Sequence, residues 1–193
     1  MSGKILLTGI SGWIAKHTAI ELLNSGYEVL GTVRNKSLIE QTKETISKYA
    51  SIDKLSFVEL DLVKDDGWDE AAKGCKYIFH IASPFPMKVS RNREILLPPA
   101  VDGTLRVLNA CSKANVKKVV LTSSVAAVAY GHGNEKTFDE SDWSNTGADS
   151  GITPYAKSKT LAEKAAWEFV DTLDTDNKFD FTVINPVGVF GPM

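Results

Sequence analysis

Lys4-Ile5-Leu6-Leu7-Thr8-Gly9-Ile10-Ser11-Gly12-Trp13-Ile14-Ala15 decides the fold. Lys4 to Thr8 is a short apolar run that reads as a buried strand, and glycines follow it at once. From Trp13 to Asn24 the residues Ile14, Thr18, Leu22 and Ala15, Ala19, Leu23 recur at spacings of four, which predicts a helix stopped by Gly26. Gly9, Gly12 and Ala15 thus form G-x-x-G-x-x-A between a strand and a helix. Each has a task at a dinucleotide. Gly9 permits a tight turn, Gly12 lets the backbone approach a pyrophosphate, and Ala15 lets the helix lie close on the strand. Ser11, Gly12, Trp13 and Ile14 surround the helix N-terminus, whose open N–H groups attract an anion. An ordinary strand-to-helix turn could also hold two glycines, so the rest of the chain must supply the setting.

Outward from this turn, apolar strands alternate with helical periods. Strands are predicted at Glu28 to Val33, Leu55 to Leu60, Tyr77 to Ile81, Lys118 to Ser123 and Phe181 to Asn185. Helices are predicted at Ser37 to Tyr49, Gly67 to Lys73, Arg93 to Ala114 and Tyr155 to Thr172, with Pro98 and Pro99 kinking or restarting the third of these. Near-continuous apolar strands separated by helices indicate an α/β, Rossmann-type doubly wound parallel sheet with helices on both faces. Right-handed crossovers give the order 3-2-1-4-5-6, with a ligand over the carboxyl ends of strands one and four. Residues 131–153 form a polar stretch too long for a simple connection, and Phe138 and Trp143 within it favour an ordered substrate-side loop over disorder.

Composition narrows the function. The 193 residues carry 22 Lys+Arg against 24 Asp+Glu, a formal net charge of −2, which disfavours nucleic-acid and membrane surfaces. No apolar run is long enough for a membrane helix, and the segment MSGKILLTG lacks a signal peptide's apolar core. Cys75 and Cys111 are lone and well separated, so neither a disulfide framework nor a zinc site is expected, and a cytoplasmic location is. His17 and His132 lack metal-ligand partners at useful spacing, and His80 reads as a satisfied buried histidine.

Cofactor choice is read at the end of the second strand, where an NAD-selecting fold places Asp or Glu. Here stand Arg34 and Lys36, with no carboxylate between Gly31 and Lys36, so NADP(H) is expected through a grip on its 2′-phosphate. Solvated loop charges are the alternative. Farther on, Tyr155 and Lys159 lie four apart on one helical face just after Pro154. A nearby ammonium lowers a phenol's pKa and makes it a better acid or base at neutral pH. Ser123 and Ser124 follow the fifth strand at the carboxyl edge of the sheet, where a hydroxyl can hold a carbonyl oxygen.

TGxxGxxA, the paired serines and YxxxK together resemble the extended short-chain dehydrogenase/reductase superfamily. The stretches VRN, FHIASP, PAVDGTLRVL, VVLTSSVAAV, FDESDW, YAKSKTLAEKAAWEF and NPVGVFGP resemble its dihydroflavonol reductase and cinnamoyl-CoA reductase group, most of all the fungal-type NADPH-dependent methylglyoxal and aldehyde reductases. The resemblance covers essentially the whole chain. It implies hydride transfer to a small-molecule aldehyde or ketone, with Tyr155 as proton donor and Lys159 lowering its pKa and holding the nicotinamide ribose. Ser124, the last serine before Val125-Ala126-Ala127, is the implied catalytic serine, with Ser123 in reserve. It further implies that Asp61 and Leu62 sit by adenine, that Ile81, Ala82 and Ser83 line the cofactor, and that Pro186 and Val187 meet its nicotinamide end. Asp61 as a helix cap is the plainer alternative.

A sugar-nucleotide epimerase or dehydratase would share the triad, and a non-enzymatic NADP-binding sensor would share the turn. Members of the resembled group usually pass 300 residues, so residues 1–193 are expected to be the dinucleotide-binding domain, carrying Ser124, Tyr155 and Lys159. A smaller substrate domain is expected after it. On that expectation the chain binds NADPH weakly and reduces carbonyls slowly or not at all, as a monomer or homodimer.

Overall fold

A computed structural model describes residues 3–83, 97–133 and 136–192. Among these residues six strands alternate with five α-helices: β1 (Lys4–Thr8), α1 (Trp13–Asn24), β2 (Glu28–Val33), α2 (Ile39–Ser47), β3 (Leu55–Glu59), α3 (Trp68–Ala72), β4 (Cys75–His80), α4 (Leu97–Lys113), β5 (Lys118–Thr122), α5 (Pro154–Asp171) and β6 (Asp180–Ile184). All pairings are parallel, and the sheet order is β3-β2-β1-β4-β5-β6, as the crossover rule requires. Among the described residues no helix is long and apolar enough to cross a membrane.

The pleat sends alternate residues to two cores. Leu7, Val29, Val33 and Phe79 pack under α1 and α2 with Ala15, Ala19, Leu23 and Ile46. Leu6, Ile78, Val119 and Leu121 pack under α3, α4 and α5 with Trp68, Val107, Leu108 and Ala166. Burying each large aliphatic side chain contributes about 1.5–3 kcal/mol, enough to fix strand register. The two cysteines are buried, free thiols in this second core. Burial raises the Cys75 pKa and that of Cys111 farther, which suits packing rather than reactivity.

Several boundaries move from expectation. The predicted helix from Ser37 divides into a 3₁₀ turn (Lys36–Leu38) and α2, because the Asn35 side chain accepts the Ser37 N–H at 2.9 Å and caps the turn. The expected start at Arg93 lies outside the described residues. Pro98 and Pro99 occupy the first turn of α4 as described, where the missing N–H groups cost no helical bond within the described residues. Between β5 and α5, 3₁₀ turns cover Val125–Ala127 and Ala148–Ser150. The described part of the long loop is tied down: Ser144 is buried, its N–H donates to Ala127 O at 2.8 Å, and its hydroxyl donates to Ala126 O at 2.9 Å. Trp143 is covered by Lys164, whose ammonium lies 5.2 Å from its ring centre.

Candidate active site

A cleft of about 840 Å³ runs across the carboxyl ends of the strands, where open α/β sheets bind their ligands. Its floor is the turn after β1. Gly9 has φ +69°, and a Cβ there would stand 3.0 Å from Ala82 Cβ and 3.1 Å from its Cα, so the turn needs glycine for both conformation and space. Gly12 is the N-cap of α1, and no side chain caps this helix or places an acid in its first turn. Its open N–H groups and positive dipole end therefore remain available to an anion, with Ser11, Trp13, Ile14 and Ala15 lining the cleft around them.

Hydroxyls beneath the surface hold this floor. Thr32 Oγ1 accepts the Gly9 N–H at 2.9 Å. Thr8 Oγ1 accepts the N–H groups of Ile81 (3.0 Å) and Ala82 (2.9 Å), tying the end of β1 to the segment after β4. It also lies 2.8 Å from His80 Nδ1. The expectation of a fully satisfied His80 is corrected: Nε2 is buried and has no partner among the described residues. Burial, and secondarily the Lys159 ammonium, hold the His80 pKa down at about 3, so the ring is neutral.

Arg34 reaches the cleft from the end of β2, and Thr32 lines it beside Arg34. Lys36 does not line it; its backbone N–H donates to Glu59 Oε2 at 3.1 Å, and residue 36 is exposed. Asp61 and Leu62 line the same end. Asp61 also shapes its own loop, since Oδ1 accepts the Val63 N–H at 3.2 Å. Trp68 donates from Nε1 to Asp61 O (3.3 Å) and Lys64 O (3.1 Å), while Arg106 of α4 holds Leu62 O and Asp65.

At the other end stand Tyr155 and Lys159. Thr153 caps α5 by accepting the Ala156 N–H at 3.1 Å, and Pro154 opens the helix, so Tyr155 is fixed in its first turn. Lys159, one turn on, is buried and donates to Thr122 O at 3.3 Å. Burial lowers its pKa to about 8, and Glu163, one turn farther, opposes that shift. Below that pH it is a cation beside the phenol's helix face. Ser123 lines the cleft; Ser124 is not among the lining residues, and its Oγ instead accepts the Ala126 N–H at 3.1 Å. Ile81, Ala82, Ser83 and Val187 line the cleft, whereas Pro186 contributes a carbonyl that accepts the Val125 N–H at 3.0 Å.

The residues missed in the sequence are Thr8, Thr32 and Asn185, whose roles depend on elements distant in the chain, and Trp68, whose indole anchors the loop just before it. Asn185 Nδ2 donates to Ser124 O (3.1 Å) and to buried Glu163 (2.8 Å), linking β6, the serine turn and α5. Only the NP dipeptide after the last strand marked it.

The model of the NAD dependent epimerase/dehydratase family matches residues 5–193. The chain belongs to that family. It is 38% identical over 196 residues to a cinnamoyl-CoA reductase of Medicago truncatula, covering 98% of this chain and 58% of that protein. It is 36% identical to the NADPH-dependent methylglyoxal reductase GRE2 of Saccharomyces cerevisiae, covering 97% of this chain and 58% of that one. The solved structure of yeast methylglyoxal/isovaleraldehyde reductase Gre2 complexed with NADPH superimposes with a TM-score of 0.86, covering 98% of this chain and 59% of that one. The chain thus spans under three-fifths of the length of these relatives. A dihydroflavonol 4-reductase of Hordeum vulgare is 33% identical over 195 residues, covering 98% of this chain and 54% of that protein.

Proposed function

We propose that these 193 residues are the dinucleotide-binding domain, with the acid–base residues, of an NADPH-dependent carbonyl reductase acting on an aldehyde or ketone. One observation carries this reading: the uncapped N-terminus of α1, Arg34, Tyr155 and Lys159 all open into one cleft. The cleft suits NADPH on its own evidence. The Gly9 turn leaves no room for a side chain, the helix end lacks competing acids, and Arg34 stands where a 2′-phosphate would be gripped. The yeast relative Gre2, named an NADPH-dependent reductase and solved in complex with NADPH, agrees with that chemistry.

NADPH would supply the hydride to the carbonyl carbon. This chain's residues supply the rest. Tyr155 O–H donates its proton to the carbonyl oxygen and is left as phenolate. Lys159, a buried cation below pH of about 8, stabilises that phenolate and would hold the ribose hydroxyls. Ser124, the serine of the resembled pattern, would hold the carbonyl oxygen once its hydroxyl turns from the Ala126 N–H; Ser123 is already in the cleft. Asp61 and Leu62 would flank adenine, Ile81 to Ser83 the middle of the cofactor, and Pro186 and Val187 its nicotinamide end.

An NAD-retaining epimerase reading is disfavoured because Arg34, not a carboxylate, enters the cleft from β2. The test is binding followed by chemistry. The chain is titrated with NADPH and NADH, and oxidation of NADPH is then followed with methylglyoxal and aryl aldehydes. Tighter binding of NADPH and a slow, carbonyl-dependent oxidation abolished by Tyr155→Phe are expected. No saturable NADPH binding, or oxidation unchanged in Tyr155→Phe, overturns the reading.

A further inference from the structure

Among the described residues, His80 Nε2 is the buried side-chain polar atom left without a hydrogen-bond partner. The other face of the ring is fully engaged, and hydrogen-bond bookkeeping fixes its tautomer. A threonine hydroxyl has one proton and two lone pairs. The lone pairs of Thr8 Oγ1 receive Ile81 N–H at 3.0 Å and Ala82 N–H at 2.9 Å. The remaining contact, 2.8 Å to His80 Nδ1, therefore carries the Thr8 proton outward. Nδ1 accepts it, and the ring's own proton sits on Nε2.

The three bonds join two pieces of the cleft wall. Thr8 ends β1 immediately before Gly9, and Ile81 and Ala82 follow β4. Thr8 and His80 are register partners across the two strands, though 72 residues apart in the chain. Both are buried, at 0% and 1% exposure, so water cannot replace a lost bond. Gly9 in turn lies beside Ala82 with too little space for a Cβ between them, so the two segments are packed against each other.

We propose that His80 is a positioning residue for the nucleotide: its neutral ring, protonated on Nε2, orients the Thr8 hydroxyl and thereby locks the glycine turn to the Ile81–Ala82 segment. Lys159 reinforces the neutral form electrostatically, and burial does so more strongly. Among the described residues the contact with Thr8 is thus the ring's hydrogen bond, and it is the one that bears on the turn. The inference rests on the NADPH reading for its consequence and on the hydrogen-bond geometry for its mechanism.

Two substitutions separate positioning from packing. His80→Asn keeps an acceptor near the Nδ1 position, and His80→Leu removes it. NADPH affinity should fall about tenfold in His80→Leu and stay within about threefold of wild type in His80→Asn. Thr8→Val should match His80→Leu, and the double variant should be no worse than either single one, because they break one device. Equal loss in His80→Asn and His80→Leu, additive losses, or wild-type affinity in His80→Leu overturns the proposal. Two readouts need no cofactor. Imidazole nitrogen NMR should show Nδ1 unprotonated and Nε2 protonated, and amide exchange at Ile81 and Ala82 should quicken in His80→Leu but not in His80→Asn. A protonated Nδ1, or unchanged exchange, refutes the mechanism. Absence of NADPH binding in the wild-type chain, with these two results intact, would refute the cofactor reading instead.

Discussion

Replacing Gly9 with alanine tests the cleft at its tightest point. The turn holds this residue at φ +69°, a conformation that costs an L-residue about 1–2 kcal/mol. The added Cβ would meet Ala82 at 3.0 Å and 3.1 Å, closer than ordinary van der Waals contact. Ala82 cannot recede cheaply, because its N–H is bound to Thr8. Overpacking of this kind adds about 1–3 kcal/mol, so the total is roughly 2–5 kcal/mol. For a domain of this length that lowers Tm by at least about 4 °C. NADPH affinity should fall at least tenfold, equivalent to about 1.4 kcal/mol, because the same turn faces the cleft. Thermal unfolding by circular dichroism and an NADPH titration measure the two effects. A Gly9→Ala protein with wild-type Tm and affinity would show that the close approach to Ala82 is not a feature of the molecule in solution.

Arg34→Glu should reverse the preference for NADPH over NADH, since each charged hydrogen bond lost to a 2′-phosphate is worth about 1.5–3 kcal/mol; an unchanged ratio of dissociation constants marks Arg34 as a solvated charge. Lys159, with its pKa lowered to about 8, loses its charge as pH rises through that value, so NADPH affinity and turnover should decline above it; a flat profile to pH of about 9.5 would contradict this. His80 has a folded pKa of about 3 against 6.5 for the free group, so the unfolded chain binds the extra proton between those values. Stability should therefore fall as pH drops below 6.5, by up to about 1.4 kcal/mol per pH unit, and urea unfolding of His80→Asn should show a shallower slope. Trp68→Phe removes the donor that holds the carbonyls of Asp61 and Lys64 and should cost about 1–3 kcal/mol in urea unfolding, with NADPH affinity reduced; a neutral result would mean that loop needs no anchor.

Strands and sheet order were legible because β1 and β2 are buried along most of their length, β4 and β5 are covered to a lesser degree, and the apolar runs of these strands are nearly continuous. The glycine turn and the Tyr155–Lys159 pair were legible because spacing within one element encodes them. What escaped depends on bonds between elements. Thr8 and His80 look like ordinary strand residues until β1 and β4 lie side by side. Trp68 reads as a core aromatic, and only its Nε1 bonds reveal an anchor for the loop at Asp61. Ser124 matches a motif, yet its hydroxyl is engaged in capping a 3₁₀ turn, which no spacing announces. Lys36 looked equivalent to Arg34 in sequence, but the turn capped by Asn35 leaves only Arg34 lining the cleft.

The central claim is that one cleft binds NADPH in preference to NADH through the α1 terminus and Arg34. Trp13 and Trp68 line that cleft, so their fluorescence reports its occupancy directly. Titration of the 193-residue chain with each nucleotide should give saturable quenching, with NADPH at least about tenfold tighter and that advantage lost in Arg34→Glu. Equal affinity for both nucleotides, or no saturable quenching by either, would contradict the account.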